Sequence, residues 1–378
     1  MKYLTVFYRK RTGEIVKAIP NTYVRSRKQI PRLINEYDIS DIGHIYVEGI
    51  DYIDISKYRV EIPSRIAPPR LVSNDGQIFT DQIIIDQAIS IIQKNDPINV
   101  VFEGGMGDYL LQMDAIGDFA KRVEPKKVIV HALPDRIGLL ELIQRPKNVT
   151  FASTSPTARK GKEVLDMAKI TTLDYYRPPF GKAYTYGLLL GYPGLFPLCR
   201  IKIPKHLKDW AKKEKKEHLG RKKRPLVGLH WRSGEPNAKS WFYDHALEFA
   251  KLMHEKTGAI TIFLGGFGEE RPTEKYTWEF VGRGTWEQSA ALVDVCDILV
   301  AIDSAFMHIG LRLRKKVVSL WGPTSKEQIL SKYAEHIPIE GECPQRPCTS
   351  YQCSTRACMR GIKPQHVVDV VLHEIAKK

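Results

Sequence analysis

The sequence predicts an α/β protein in which two Rossmann-like domains face a cleft, preceded by a small β-rich domain. Three observations carry that expectation. From residue 97 onward, short branched apolar runs alternate with longer amphipathic stretches, which argues parallel sheets with helices on both faces. The alternation pauses at a charged stretch, 205–224, and then restarts. Ahead of it, residues 1–95 carry runs alternating apolar and polar side chains, the pattern of half-buried strands. The boundaries read this way are 1–95, 96–205 and 206–362, with a closing helix at 363–378.

In the N-terminal piece, YLTVFYRKRTGEIVKAI alternates around Arg11-Thr12-Gly13 and predicts a β-hairpin. HIYVEGIDYIDI and KYRVEI continue the strand pattern, Ile66-Ala67-Pro68-Pro69 breaks it, and Asp81 to Lys94 predicts a helix leading inward. Nothing in this piece forms a catalytic constellation.

The body begins with a buried strand at Pro97 to Phe102, then Glu103-Gly104-Gly105-Met106-Gly107-Asp108, then a helix from about Tyr109 to Arg122. A strand (Val128 to Ala132), a helix (about Ile137 to Ile143) and a strand (Val149 to Ala152) follow. Pro156 to Pro197 is rich in aromatics, Gly and Pro, and reads as irregular chain lining a cleft. After the charged stretch come a strand at Leu226 to His230, a helix at Tyr243 to Lys256 and a strand at Ala259 to Leu264. A helix is expected at Glu287 to Val295. Then comes the central unit: strand Ile298 to Ile302, helix Phe306 to Arg314 and strand Val317 to Trp321, closed by Gly322-Pro323-Thr324. The tail places Val367, Val368, Val371, Leu372 and Ile375 on one helical face.

At 378 residues with 43% hydrophobic and 27% charged side chains, the chain has the composition of a globular protein with sizeable cores. No apolar run approaches membrane-span length and Met1-Lys2-Tyr3 opens no signal-like segment, so a cytoplasmic location is expected. The net charge of +15 suits a polyanionic partner: nucleic acid, anionic lipid at a membrane surface, or a phosphorylated glycan. The basic residues cluster in KHLKDWAKKEKKEHLGRKKR, which is equally a solvated helix and linker.

Two places invite a phosphate or a proton. In the central unit Ser304 is an N-cap candidate, and the helix behind it offers free N–H groups and partial positive charge outside the strand ends. Gly104-Gly105-Met106-Gly107-Asp108 fails as a dinucleotide fingerprint, because Leu110 stands at the third glycine and no acid closes the second strand. What it does place is Asp108, a carboxylate at the mouth of a parallel sheet, or simply a helix cap.

These motifs carry a resemblance. Asp303-Ser304, then His308, then Gly322-Pro323-Thr324 resembles the C-terminal signature of the family 9 glycosyltransferases, the ADP-heptose heptosyltransferases of lipopolysaccharide core synthesis. The resemblance implies a GT-B fold with the donor diphosphate held at Asp303, Ser304, Ala305 and His308; Ala305 stands where the family usually has glycine. Gly105-Met106-Gly107-Asp108 is similar to the family's G-x-G-D, which implies Asp108 as general base, with Gly105 and Gly107 among the nucleotide-sugar-binding residues. Lys239-Ser240-Trp241 is similar to its K-x-W element, whose Lys meets the phosphates. Arg232 and Ser233 lie in the same strand-to-loop segment, with Trp231 where the family has smaller polar residues. A departing nucleoside diphosphate develops negative charge that fixed donors stabilise, hence a role for Lys239 and Arg232, or else these cations are merely solvated. The likeness runs from about 98 to 370, with residues 1–95 unmatched. The chain has no D-x-D, and the expectation is catalysis without a divalent ion.

Cys343, Cys348, Cys353 and Cys358 recur every five residues, a pattern for a tetrahedral thiolate site, free thiols or local disulfides. Family 9 chains often carry cysteines here. The autotransporter branch binds iron through them and has extra N-terminal β structure, which implies a structural zinc or iron. The expected function is an inverting transfer of a heptose-like sugar from an ADP-sugar to a polyanionic glycan or lipid-linked acceptor. Protein or nucleic-acid acceptors, and a non-catalytic nucleotide-sugar-binding module, are the alternatives.

Overall fold

The computed structural model describes residues 80–153, 163–168, 181–192, 196–220, 223–234, 237–330, 334–346, 348 and 353–377. Of the N-terminal region it describes 3–9, 12, 14–20, 42–48, 58–61 and 70–73, so much of the β-rich expectation, including Ile66 to Pro69, lies outside the described residues. There β1 (Tyr3–Arg9) pairs antiparallel with β2 (Ile15–Pro20) and β3 (Ile42–Glu48), and β4 (Tyr58–Glu61) with β5 (Arg70–Ser73).

The body contains two parallel sheets. The first has the order β8-β7-β6-β9, built from β6 (Ile98–Val101), β7 (Val128–Ala132), β8 (Val149–Ser153) and β9 (Leu165–Asp166). The second has the order β12-β11-β10-β13-β14-β15, from β10 (Leu226–His230), β11 (Ile260–Gly265), β12 (Thr277–Val281), β13 (Ile298–Ile302), β14 (Val317–Trp321) and β15 (Ile337–Glu340). Every residue of β10, β13 and β14 is buried, as strands covered on both faces must be. Each sheet reverses its strand order beside its first strand, between β6 and β9 and between β10 and β13, where α/β sheets open a crevice. The chain is therefore GT-B-like α/β, two Rossmann-like domains with a β-rich N-terminal region.

Around the first sheet lie α1 (Thr80–Lys94), α2 (Met106–Arg122), α3 (Pro134–Glu141) and α4 (Gly181–Leu189). The last turn of α1 leaves carbonyls unpaired, and Lys126 satisfies them, its Nζ donating to Ile92 O (2.6 Å), Gln93 O (3.0 Å) and Asn95 O (3.1 Å). Around the second sheet lie α5 (Lys205–Leu219), α6 (Tyr243–Thr257), α7 (Trp286–Val295), α8 (Ala305–Arg312), α9 (Lys326–Ile329), α10 (Ala357–Gly361) and α11 (Pro364–Ala376).

Several sequence expectations shift. The helix after Asp108 begins earlier, at Met106, so Asp108 sits inside the first turn and not at its cap. The Pro156 to Pro197 stretch is not wholly irregular: it holds β9 and α4. Strands β12 and β15 were not expected; β15 carries Pro338, which an edge strand tolerates. The charged stretch forms α5, which is anchored as well as solvated. Ala211 and Leu219 are buried, and Lys215 Nζ donates to Val295 O at 2.7 Å. Trp210 meets Phe280 with ring centroids 6.2 Å apart, and His218 stacks on Trp278 at 4.0 Å.

The two domains meet through helices. α2 packs on α8, and α3 on α7, where Gly138 leaves the room that the Glu287 carboxylate fills. The connecting chain is tied into both: Ile143 bridges Ile201, Lys202 N donates to Leu142 O (2.9 Å), and Ile201 N donates to Arg312 O (3.2 Å). This clamps the two carboxyl-end crevices toward one another.

Candidate active site

The N-termini of α2 and α8 converge between the two crevices. Helix N-termini carry unpaired N–H groups and partial positive charge, so this is ground suited to an anion. Gly107 permits the approach: a Cβ there would lie 2.9 Å from His308 Cδ2 and 3.7 Å from the Ala305 amide nitrogen. Gly105 precedes α2 in extended conformation, and its N–H donates to Asp108 Oδ2 at 2.9 Å.

Asp108 faces this junction. Its Oδ1 accepts from Lys182 Nζ at 2.7 Å and from Tyr186 Oη at 3.2 Å, both presented by one face of α4. Burial alone works to raise this carboxyl, but Lys182, the Gly105 N–H and the more distant Lys239 override it and hold it below the ordinary aspartate value. Sequence reasoning missed Lys182 and Tyr186. They lie in a Gly- and aromatic-rich stretch whose helix forms by packing on α2, α1 and α9.

Opposite stands Asp303, at the end of β13. It is buried, with Oδ2 2.8 Å from Lys239 Nζ and accepting from Thr324 Oγ1 at 2.9 Å. Burial pushes this carboxyl up too, and Lys239, ahead of His308, outweighs it, leaving the group below its usual range. Thr324 comes from the Gly322-Pro323-Thr324 turn, so two distant motifs share one hydrogen bond. Lys239 ends the short 3₁₀ turn Asn237–Lys239, in a loop pinned by Trp241 N donating to Trp231 O (2.8 Å) and Ser233 N to Ser240 Oγ (3.0 Å). Trp231 is buried against Tyr243, which explains a bulky residue at that position.

Ser304 occupies the cap position of α8, but its side chain makes no cap bond; its Oγ is hydrogen-bonded to His230 Nδ1 at 2.8 Å, joining β10 to β13 at the switch point. Burial pushes the His230 imidazole down to about 3, and burial, then Arg312, does the same to His308. Both rings are neutral at pH 7. His308 Nδ1 is buried without a hydrogen-bond partner among the described residues. Arg232 reaches across to Glu270 and the Ser233 hydroxyl stays within its loop, donating to Gly234 O at 3.3 Å.

A further carboxyl went unnoticed in the sequence. Glu269 Oε1 accepts from Gly266 N at 2.7 Å and lies 3.9 Å from His230 Nε2, while Oε2 has no partner among the described residues. Burial raises it to about 7, so the His230–Glu269 contact is not an ion pair of full charges.

Residues 197–358 match the family model for glycosyltransferase family 9 (heptosyltransferase). Over that segment the chain is similar to the family 9 heptosyltransferases. Lipooligosaccharide heptosyltransferase 2 of Haemophilus ducreyi is 30% identical over 130 residues, 31% of this chain and 37% of that protein. The matched part spans about a third of the length of such curated relatives. A family 9 glycosyl transferase from Veillonella parvula aligns in three dimensions with TM-score 0.57 and 16% identity, over 75% of this chain and 99% of the other. The dodecameric iron-containing heptosyltransferase TibC of enterotoxigenic E. coli, in complex with ADP-D-β-D-heptose, aligns with TM-score 0.54 and 12% identity. That alignment covers 100% of this chain and 91% of TibC. At such identities the likeness shows the GT-B architecture alone.

The cysteines stand differently from the expectation. All six are free thiols, and among the described residues no three His, Cys, Asp or Glu side chains stand close enough to hold a metal ion. The metal site read from the spacing of Cys343, Cys348, Cys353 and Cys358 is therefore not supported by the geometry. Cys358 is buried on α10, while Cys343, Cys348 and Cys353 are partly exposed. Among the described residues no helix is long and apolar enough to cross a membrane.

Proposed function

We propose that this chain transfers a heptose-like sugar, with inversion, from an ADP-sugar to an acceptor hydroxyl. Asp108 takes the hydroxyl proton, the freed oxygen bonds to the anomeric carbon, and the bond from that carbon to the diphosphate oxygen breaks. The leaving diphosphate keeps the electron pair. Lys239, the α8 N-terminus from Ser304 to His308, and the nearby Arg232 and Ser233 neutralise it. Gly105 and Gly107 let the nucleotide-sugar come close to the backbone. The domain boundaries 96–205 and 206–362, acceptor side and donor side, belong to the same proposal.

One observation carries the reading: Asp108, held ionised by a lysine, faces the Lys239–Asp303 pair across two converging helix N-termini. A bare binding module needs the cation but not the base. The test is turnover of nucleotide-sugars by the purified chain, preceded by a melting screen. A ligand at 100 Kd adds about 2.7 kcal/mol, enough to move the melt measurably. Binding without turnover of any donor, over a range of glycan and protein acceptors, would favour the non-catalytic module.

For the acceptor, the +15 charge supports a polyanionic glycan or lipid-linked sugar at a membrane surface. The alignment with TibC over the whole chain, N-terminal strands included, fits the branch with extra β structure, and a protein acceptor is the alternative. A structural zinc or iron at the cysteines is part of the proposal only as a site completed by the metal. Burial raises the Cys358 thiol, and Cys343 and Cys348 are near enough to raise it further. No step of the reaction is routed through that metal.

A further inference from the structure

The most deeply buried ion pair among the described residues has no part in the chemistry above. Asp114 on α2 and Arg312 on α8 have fully buried side chains and are hydrogen-bonded to one another through Oδ2 and an η nitrogen. The same η nitrogen donates to Leu110 O at 3.1 Å, on α2, while the other donates to His308 O at 3.1 Å, on α8. Asp114 Oδ1 accepts from Cys199 N at 2.8 Å, in the chain that crosses from one domain to the other. Ile201 N, two residues on, donates to Arg312 O at 3.2 Å. One carboxylate and one guanidinium thus tie together the first domain, the connection and the second domain.

Stability does not account for such a pair. Desolvating two charges costs several kcal/mol each, and apolar replacements of similar volume are often neutral or stabilising. Position accounts for it better. Asp108 is six residues before Asp114 on one rigid helix, about 9 Å along its axis. His308 lies one turn before Arg312 on the other. Any slide or rotation of α8 against α2 at the buried pair moves Asp108 relative to His308 and the Asp303–Lys239 pair.

We propose that Asp114 and Arg312 are positioning residues: a buried pivot that sets the register between the two domains and so holds Asp108 opposite the diphosphate site. The pivot rests on the transferase reading for its purpose, but its existence is testable without activity. The guanidinium's fork gives direction as well as charge, which an ammonium cannot reproduce.

The experiment places spin labels, through encoded ketone side chains that spare the native cysteines, at the exposed helical positions Lys121 and Lys251. Interdomain distances are measured in the unaltered chain, in Asp114→Leu/Arg312→Met and in Arg312→Lys. A narrow distribution is expected in the unaltered chain and a broadened or shifted one in both variants. ADP affinity should stay within about three-fold, since the charged diphosphate contacts, Lys239 and the α8 N-terminus, lie on the second domain. With reacting groups displaced by about 1 Å, kcat should fall by ten- to a hundred-fold. Unchanged distributions in both variants would overturn the pivot. Broadened distributions with kcat intact would overturn the positioning role. If the double variant fails to fold, Arg312→Lys, which keeps charge and bulk, decides by the same readouts. Should the unaltered chain turn over no nucleotide-sugar, the transferase reading falls while the distances still decide for the pivot.

Discussion

Lys182 Nζ stands 2.7 Å from Asp108 Oδ1, supplied by a helix 74 residues further along the chain. The contact settles a conflict. Asp108 is set back from solvent, where a carboxylate would ordinarily take up its proton, and the ammonium keeps it charged. Asp303 and Lys239 repeat the arrangement on the facing side at 2.8 Å.

Asp108→Asn is expected to lower transfer by about 10²–10⁴-fold, the usual contribution of a general base, while nucleotide affinity stays within a few-fold. Steady-state kinetics with calorimetric ADP binding check it. A near-normal kcat would remove Asp108 from the base role.

Lys182→Met should move the acid side of the pH–rate profile upward. With the ammonium gone, the burial contribution dominates and the Asp108 pKa rises from its depressed value toward or above 3.8. For stability the sign follows from the depressed folded pKa. The ion pair contributes fully above the unfolded pKa near 3.8, and that contribution is lost as pH falls through the lower folded value. The variant should therefore lose stability mainly at neutral pH and resemble the unaltered chain in strong acid. Denaturant melts at several pH values give the comparison.

Lys239→Ala is expected to weaken ADP binding and slow transfer together, because the ammonium meets charge in both ground and transition states. It also strips Asp303 of its counter-charge, leaving a buried carboxylate held, among the described residues, only by the Thr324 hydroxyl. Lys239→Arg should recover part of the binding if charge alone matters. Unchanged ADP affinity in the alanine variant would make the K-x-W match accidental.

Gly107→Ala tests the closeness of the two helices. The added methyl would stand 2.9 Å from His308 Cδ2, too near for contact without displacement. A stability loss of about 1–3 kcal/mol is expected from overpacking, with a larger proportional fall in kcat. Thermal melts and kinetics of Gly117→Ala, where an added Cβ meets nothing within 4 Å, provide the control on the same helix.

Metal content is measured directly on protein purified without chelator. The proposal expects about one zinc or iron per chain, and Cys348→Ser/Cys353→Ser should lower the melting temperature more than kcat. A metal-free chain with four titratable thiols at Cys343, Cys348, Cys353 and Cys358 would refute the site.

The fold was largely legible in the chain because parallel strands buried on both faces must be continuous apolar runs, as Leu226–His230, Ile298–Ile302 and Val317–Trp321 are. Asp108 was legible as a carboxylate at a strand-to-helix turn, and Lys239, Asp303 and His308 through the resemblance to family 9 motifs. The structure brings these four to one junction.

What local pattern could not carry was decided by packing. Gly181–Leu189 has weak helical character of its own, yet against α2 it folds as a helix and delivers Lys182 and Tyr186 to Asp108. Ser304 reads as a cap but spends its hydroxyl on His230, a partner 74 residues away. The regular spacing of four cysteines reads as a metal site, but spacing along the chain sets no distance between side chains on a loop and a buried helix. The residue types and the alternation of strands and helices came from the sequence; which charges meet came only from tertiary structure, because pairing depends on approach between segments that no local periodicity encodes.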